Sequence, residues 1–118
     1  KISESAYLCL KLAWIYRGEI QEAKANGAAQ ERISMYEKYE KEYLEDAYRG
    51  FKQARETEYP PIAGMDENTI TYLLTSIGIH CGKIDEARRY GSALLISRTA
   101  SMKLKNKTRD VLETIKKN

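Results

Sequence analysis

Two adjacent prolines, Pro60 and Pro61, are the only prolines in this chain of 118 residues. A helix cannot continue through such a doublet, because proline lacks a backbone N–H donor and clashes with the preceding turn. On both sides of the doublet, apolar residues recur at spacings of three and four, as in helices. Apolar and polar residues do not alternate over any long stretch, so the sequence gives no strong signal for a strand. We therefore predict an all-α fold of about five helices, with one group of helices before the prolines and one after them.

Two helices are predicted before the prolines. The first runs from about Ser3 to Lys24, with Ser3 or Ser5 as its N-cap. It is apolar on several sides, which predicts neighbours on more than one flank and a place at the centre of the domain. The second starts after Gly27 and ends near Glu58, and its predicted inward stripe is Ile33, Tyr36, Tyr39, Tyr43, Ala47, Phe51 and Ala54.

The C-terminal half contains clear signals for where helices start and stop. Asp66 is a natural N-cap, and Gly82 ends that helix where a left-handed residue is required. A fourth helix from about Ile84 to Ser97 and a last one from about Met102 to Lys117 follow. We expect one domain over residues 1–118, made of an extended helix pair (1–58), a second pair (66–98) and a capping helix (102–117), and belonging to a longer protein.

The net charge of +3 is unevenly distributed. Residues 101–118 carry six basic and two acidic groups, so the excess lies at the C-terminal end. A basic helix can contact phosphates. Residues 101–118 contain no aromatic residue, however, so stacking on nucleic-acid bases is not indicated. The sequence shows no membrane-spanning run and no signal-peptide pattern, and its two cysteines suggest reduced, buried thiols; we expect a cytoplasmic protein.

The stretch IHCGKIDEA places the only histidine, His80, beside Cys81. Adjacent side chains on a helix diverge by about 100°, so these two do not face each other. Neither has a second ligand at a spacing of three or four, and Asp85 and Glu86 lie beyond the turn. We therefore predict no catalytic, cofactor or metal site, and expect a non-enzymatic protein.

Two segments resemble the tetratricopeptide repeat, in which two helices meet at small residues and glycine makes the turn. Leu74, Gly82, Ile84 and Ala87 match the repeat in one pair. In the other pair, Leu12-Ala13-Trp14-Ile15-Tyr16 resembles the first helix, and Ala47, Phe51 and Ala54 resemble the second. The resemblance implies a right-handed array of antiparallel helix pairs.

The chain departs from the repeat in two ways. Extra residues lengthen the first pair, and Gly78 and Gly91 stand where aromatic residues are usual in the second. A narrower resemblance links ESAYLCLKLAWIYR, GMDENTITYLLTSIG and GKIDEARRY to an uncharacterised bacterial family common in Firmicutes. That resemblance implies a cysteine-rich, zinc-binding region ahead of tetratricopeptide-like helices, and no metal ligand in this chain.

In the resembled repeat, the first helix of each pair lines a concave surface that binds protein partners. The resemblance therefore implies a protein- or peptide-binding groove formed by Tyr7, Trp14, Arg17, Tyr72, Ser76 and His80. The competing interpretation is that Tyr7 and Trp14 only pack against the last helix or the tyrosines of the second. Two other functions stay open at this point: nucleic-acid binding through Lys103, Lys105, Lys107, Arg109, Lys116 and Lys117, and self-association into a homo-oligomer.

Overall fold

A computed structural model describes residues 1–116, and within that range the protein is built from five α-helices and no strand. They are α1 (Ile2–Ala25), α2 (Gln30–Thr57), α3 (Glu67–His80), α4 (Ile84–Leu95) and α5 (Met102–Lys116). The predicted all-α class is confirmed, as are the positions of all five helices. Lys117, which was expected to end the last helix, lies outside the described residues.

The helix-capping predictions met different outcomes. Asp66 caps α3 as expected, since its side chain accepts a hydrogen bond of 2.8 Å from the Thr69 backbone N–H. Gly82 follows the end of α3 with a φ of +76°, the left-handed conformation that glycine adopts without strain. The prediction that Ser3 or Ser5 caps α1 is wrong, because α1 already begins at Ile2 and Lys1 stands at the cap.

Ser3 instead ties the start of α1 to the end of α2. Its hydroxyl donates a 2.6 Å hydrogen bond to Oε1 of Glu58, and its backbone N–H donates to Oε2 at 3.2 Å. The same pair of bonds lowers the pKa of Glu58, the side-chain bond being the larger cause.

The main core lies where α1, α2 and α3 meet. Its fully buried members include Leu10, Phe51, Ile62, Ile70 and Leu74. Small residues let the helices approach closely. A Cβ built on Gly50 of α2 would lie 2.7 Å from the Cβ of Ala6, and one on Gly78 would lie 3.3 Å from the Cβ of Ala87.

The described helices pack in chain order, with α2 on α1, α3 on α2, α4 on α3, and α5 across both α3 and α4. Consequently the expectation that α1 lies at the centre of the domain is wrong. Its inner stripe packs on α2, while Leu8, Leu12, Trp14 and Ile15 stay 37–58% exposed. A helix can be more apolar than its neighbours require, and α1 has a backbone neighbour only in α2.

The first helix pair is longer than the second, as its extra residues predicted. The helices α1 and α2 contain 24 and 28 residues, against 14 and 12 in α3 and α4. The ends of α1 and α2 next to their connecting turn form a separate small core of Ile20, Ala23 and Ile33. Among the described residues, no helix combines the length and apolarity needed to cross a bilayer.

Candidate functional site

Three charged or titratable side chains from three helices converge where α1 and α2 run past the end of α3. Nε of Arg17 on α1 donates a 2.9 Å hydrogen bond to Oε2 of Glu40 on α2. His80, the last residue of α3, lies within electrostatic reach of both. We call Arg17, Glu40 and His80 the charged cluster.

The environment of His80 lowers its pKa below the ordinary value of 6.5. Desolvation of the imidazole by its neighbours is the first cause, although His80 as a whole residue is exposed. The positive charge of Arg17 lowers the pKa further, and the carboxylate of Glu40 acts in the opposite direction. The imidazole is therefore mostly neutral at pH 7 and would gain a proton if a negative group came close.

The tyrosines of α2 hold the helices together beside this cluster. Tyr16, next to Arg17 in the chain, has its ring centroid 5.3–5.9 Å from those of Tyr36, Tyr39 and Tyr43. The Tyr16 and Tyr43 rings are stacked, with 10° between their planes. Aromatic packing of this kind fixes the position of α1 on α2, and hence the position of Arg17.

Two further members of the predicted groove each carry a lysine over their ring. Nζ of Lys11 lies 4.7 Å from the ring centroid of Tyr7, and Nζ of Lys107 on α5 lies 5.9 Å from that of Tyr72. Tyr7 also borders a surface depression of about 420 Å³, together with the loop around Pro61. Both tyrosines are half-buried, so part of each side chain is accessible to solvent beside a positive charge.

Trp14 and Ser76 complete the predicted set. Trp14 is 49% exposed, so about half of its surface is uncovered, and whether it only packs against its neighbours or also binds a partner stays a prediction. Ser76 is half-buried on α3, one helical turn from Tyr72 and one from His80. The structure thus places Arg17 within electrostatic reach of His80. The other four residues are spread along α1 and α3, with Tyr7 and Arg17 about 15 Å apart by helical rise.

Glu40 is not identified from the sequence as part of a site. A signal was present, since Glu40 falls at a helical spacing between the inward-facing Tyr36 and Tyr43. A carboxylate within an apolar stripe needs a partner, and here Arg17 supplies it.

His80 and Cys81 point in different directions, as their adjacency predicted. Cys81 packs against the main core, whereas His80 lies near Arg17. Burial, followed by the charge of Glu45, raises the pKa of the Cys81 thiol, and burial does the same for Cys9. Within residues 1–116, no group of three or more histidine, cysteine or acidic residues is arranged to hold a metal ion.

The basic residues of α5 face two different sides. Lys103 and Lys107 border a depression beside the start of α3, whereas Arg109 and Lys116 border another between α4 and α5. Lys105 is half-buried, and Lys117 lies outside the described residues. The described part of α5 therefore does not present its positive charge as one continuous stripe.

Comparison with known proteins finds one family. Residues 1–115 match the model of DUF2225, described as an uncharacterized protein conserved in bacteria. No curated protein and no solved structure matches the chain.

Proposed function

The chain belongs to DUF2225, and from that premise we propose that it is a non-enzymatic interaction module that binds an acidic segment of a partner protein. The proposed binding surface, called the α1–α3 face, consists of Tyr7, Trp14, Arg17, Tyr72, Ser76 and His80. The observation that carries the proposal is the charged cluster. Arg17 and His80 come from separate helices to one partly exposed place, where a carboxylate from a partner could pair with both.

The charges along the face favour an acidic partner. Lys11 beside Tyr7 and Lys107 beside Tyr72 add positive groups at a distance from the charged cluster. Complementary charge mainly sets specificity and the rate of encounter, so a partner with spaced aspartates or glutamates fits this surface best.

Trp14 supplies an apolar anchor on the same face. Tryptophan, tyrosine and arginine are the residues most often found in binding hot spots, and Trp14 has about half of its surface free to contact a partner. The face spans about 15 Å, which an extended peptide covers with about five residues.

We also propose that the helix pairs are tetratricopeptide-like and that the protein acts in the cytoplasm. The tetratricopeptide-like arrangement is supported by the left-handed Gly82 between α3 and α4, and by the close approach of Gly78 to the fully buried Ala87. The zinc-binding N-terminal region that the resemblance implies would precede Lys1, and it stays a prediction.

Selection from a displayed peptide library tests the binding proposal. Peptides retained by the wild-type protein should be rich in acidic residues, and binding should weaken as salt increases. The same peptides should bind Arg17→Glu, Trp14→Ala and Tyr72→Ala at least about ten-fold more weakly, as expected when hot-spot contacts are removed. Met35→Ala is the matched control, because Met35 is an exposed apolar residue (45%) on α2 that is not part of this face.

The proposal is wrong if folded variants of Arg17, Trp14 and Tyr72 retain every selected peptide as well as the wild type does. The folded state of each variant is verified by circular dichroism before the comparison.

Nucleic-acid binding by α5 is the second proposal, and Lys103 and Lys107 on one shared depression favour it. We rank it lower because Arg109 and Lys116 point elsewhere. Titration of a labelled single-stranded oligonucleotide at low salt decides, since electrostatic binding would be strongest there. Absence of binding under that condition would exclude it.

A further inference from the structure

The outer side of α1 carries an uncovered apolar stripe. Leu8, Leu12 and Ile15 follow one another at spacings of four and three, and they are 58%, 37% and 58% exposed. They lie on the side of the helix away from Ala6 and Leu10, which pack into the core. Among the described helices α1 packs only on α2, so no described helix covers this α1 stripe; the loop around Pro61 borders Leu8 at one end of it.

Glutamates lie at both ends of the α1 stripe. Glu4 lies one turn before Leu8, Glu19 lies one turn after Ile15, and Glu22 lies one turn further, all exposed. Two glutamates, Glu19 and Glu22, lie at one end and one, Glu4, at the other, so the end with Glu19 and Glu22 is the more acidic.

A groove with the opposite charge lies between α4 and α5. Its cavity volume is about 260 Å³, and Leu95 and Leu112 form its apolar part. Arg88, Arg109 and Lys116 border it and are exposed. We call these five residues the α4–α5 groove.

The positive charges stand at both ends of that groove. A Cβ built on Gly91, in the middle of α4, would lie 2.9 Å from Leu112, in the second half of α5, and this contact sets the alignment of the two antiparallel helices. Arg88 therefore shares one end of the groove with Lys116, and Arg109 lies near the other end. One residue of the lining is acidic, Glu113, and it is paired with Lys116 at 3.6 Å.

The two surfaces carry opposite charge beside apolar residues. The apolar part of the α1 stripe, from Leu8 to Ile15, covers about 10 Å of helix, whereas its acidic ends at Glu4 and Glu19 lie about 22 Å apart. The groove segment from Arg88 to Leu95 also covers about 10 Å. The acidic end with Glu19 and Glu22 therefore matches the basic end with Arg88 and Lys116, while Ile15 and Leu12 reach the apolar part of the groove.

We propose that the α1 stripe of one copy of this protein docks in the α4–α5 groove of a second copy. The charges set the orientation: Glu19 and Glu22 face Arg88 and Lys116, and Leu12 and Ile15 lie on Leu95 and Leu112. In this arrangement α1 runs antiparallel to α4 of its neighbour.

The proposed contact joins two different surfaces, so each pair of copies leaves one stripe and one groove unoccupied. Such a head-to-tail contact continues into a ring or an open chain. Its strength comes from the leucines and isoleucine, while the peripheral charges select the partner surface and make assembly sensitive to salt.

Sedimentation velocity tests the proposal with two complementary variants. The wild-type protein should gain mass as its concentration rises from about 5 to about 500 µM, and less so at high salt. The stripe variant Leu12→Glu and the groove variant Arg88→Glu/Lys116→Glu should each associate with themselves at least about ten-fold more weakly. An equimolar mixture of the two should form a dimer and nothing larger, because one variant retains only the groove and the other only the stripe.

Met35→Glu is the control, since it adds the same charge at an exposed apolar position outside both surfaces. Wild-type protein that stays monomeric throughout the concentration range would overturn the proposal. Self-association of the groove variant at wild-type strength would also overturn it, because two α1 stripes would then be pairing with each other. An effect of Met35→Glu equal to that of Leu12→Glu would overturn it as well.

Discussion

Replacing Gly50 with alanine should destabilise the protein, although alanine is the better helix former. Gly50 lies inside α2, where helix propensity alone would favour alanine by up to about 1 kcal/mol. The added Cβ, however, would lie 2.7 Å from the Cβ and 3.4 Å from the Cα of Ala6. Ala6 is 2% exposed and has no flexible side chain to move away, so α1 and α2 must separate.

The size of the effect follows from these two opposing contributions. Overpacking of a core typically costs about 1–3 kcal/mol, and a contact that must open by about 1 Å between two backbones belongs in the upper half of that range. After the gain in propensity is subtracted, we expect Gly50→Ala to lower the free energy of unfolding by about 1–2 kcal/mol. The corresponding fall in Tm is about 3–10 °C for a domain of this size.

Thermal and urea unfolding followed by circular dichroism measure this change against two controls. Gly18→Ala in α1 should instead stabilise the protein by about 0.5–1 kcal/mol, because no atom lies within 4 Å of a Cβ at that position. The double variant Ala6→Gly/Gly50→Ala moves the glycine to the other side of the contact and should recover most of the lost stability. If Gly50→Ala is as stable as the wild type, the close approach of α1 and α2 is wrong.

Three further predictions concern hydrogen bonds and charges. Tyr48→Phe removes the 2.5 Å hydrogen bond that the buried Tyr48 hydroxyl donates to Oε1 of Glu86, and urea unfolding should show a loss of about 1–2 kcal/mol; an unchanged midpoint would contradict that bond. An NMR titration of His80, the only histidine, should give a pKa below the ordinary value of 6.5, and this pKa should rise in Arg17→Gln. Because the unfolded chain then binds the proton first, this histidine makes stability fall as the pH drops below 6.5, and in thermal scans His80→Gln should reduce that fall. Asp66→Ala should cost about 1 kcal/mol in urea unfolding, and Asp66→Asn much less, because asparagine still caps α3.

The helices could be predicted from the sequence because their signals are local. Asp66 and Gly82 mark the two ends of α3 through their own backbone and side-chain chemistry, and both act as expected. Ser3 has the same local chemistry as a cap, but a glutamate 55 residues away binds it instead. A distant partner of this kind leaves no trace in the nearby sequence.

Packing between helices was less predictable. Gly78 and Gly91 stand out in the sequence only as departures from the repeat, because the reason for each lies on another helix. Gly78 makes room for Tyr48 and Ala87, and Gly91 makes room for Leu112. Periodicity likewise shows that α1 has several apolar stripes but not which of them meets a neighbour. The stripe of Leu8, Leu12 and Ile15 stays exposed because α1 packs on α2 alone among the described helices.

The candidate site was predictable in part. The resemblance implied Arg17 and His80 as members of one surface, and the charge of Arg17 does reach His80 and lower its pKa, while their joint use in binding stays a prediction. Glu40, which holds Arg17, was missed because its partner lies on the preceding helix, 23 residues earlier in the chain.

The central claim is that the α1–α3 face binds an acidic segment next to His80, and the imidazole of that residue can report such binding directly. The measurement is an NMR pH titration of the single histidine signal, with and without an acidic peptide selected on the wild-type protein. We predict that the bound peptide shifts the signal and raises the pKa of His80, because a carboxylate placed beside the imidazole stabilises its charged form. A peptide that binds tightly and leaves both the signal and its pKa unchanged would contradict the claim.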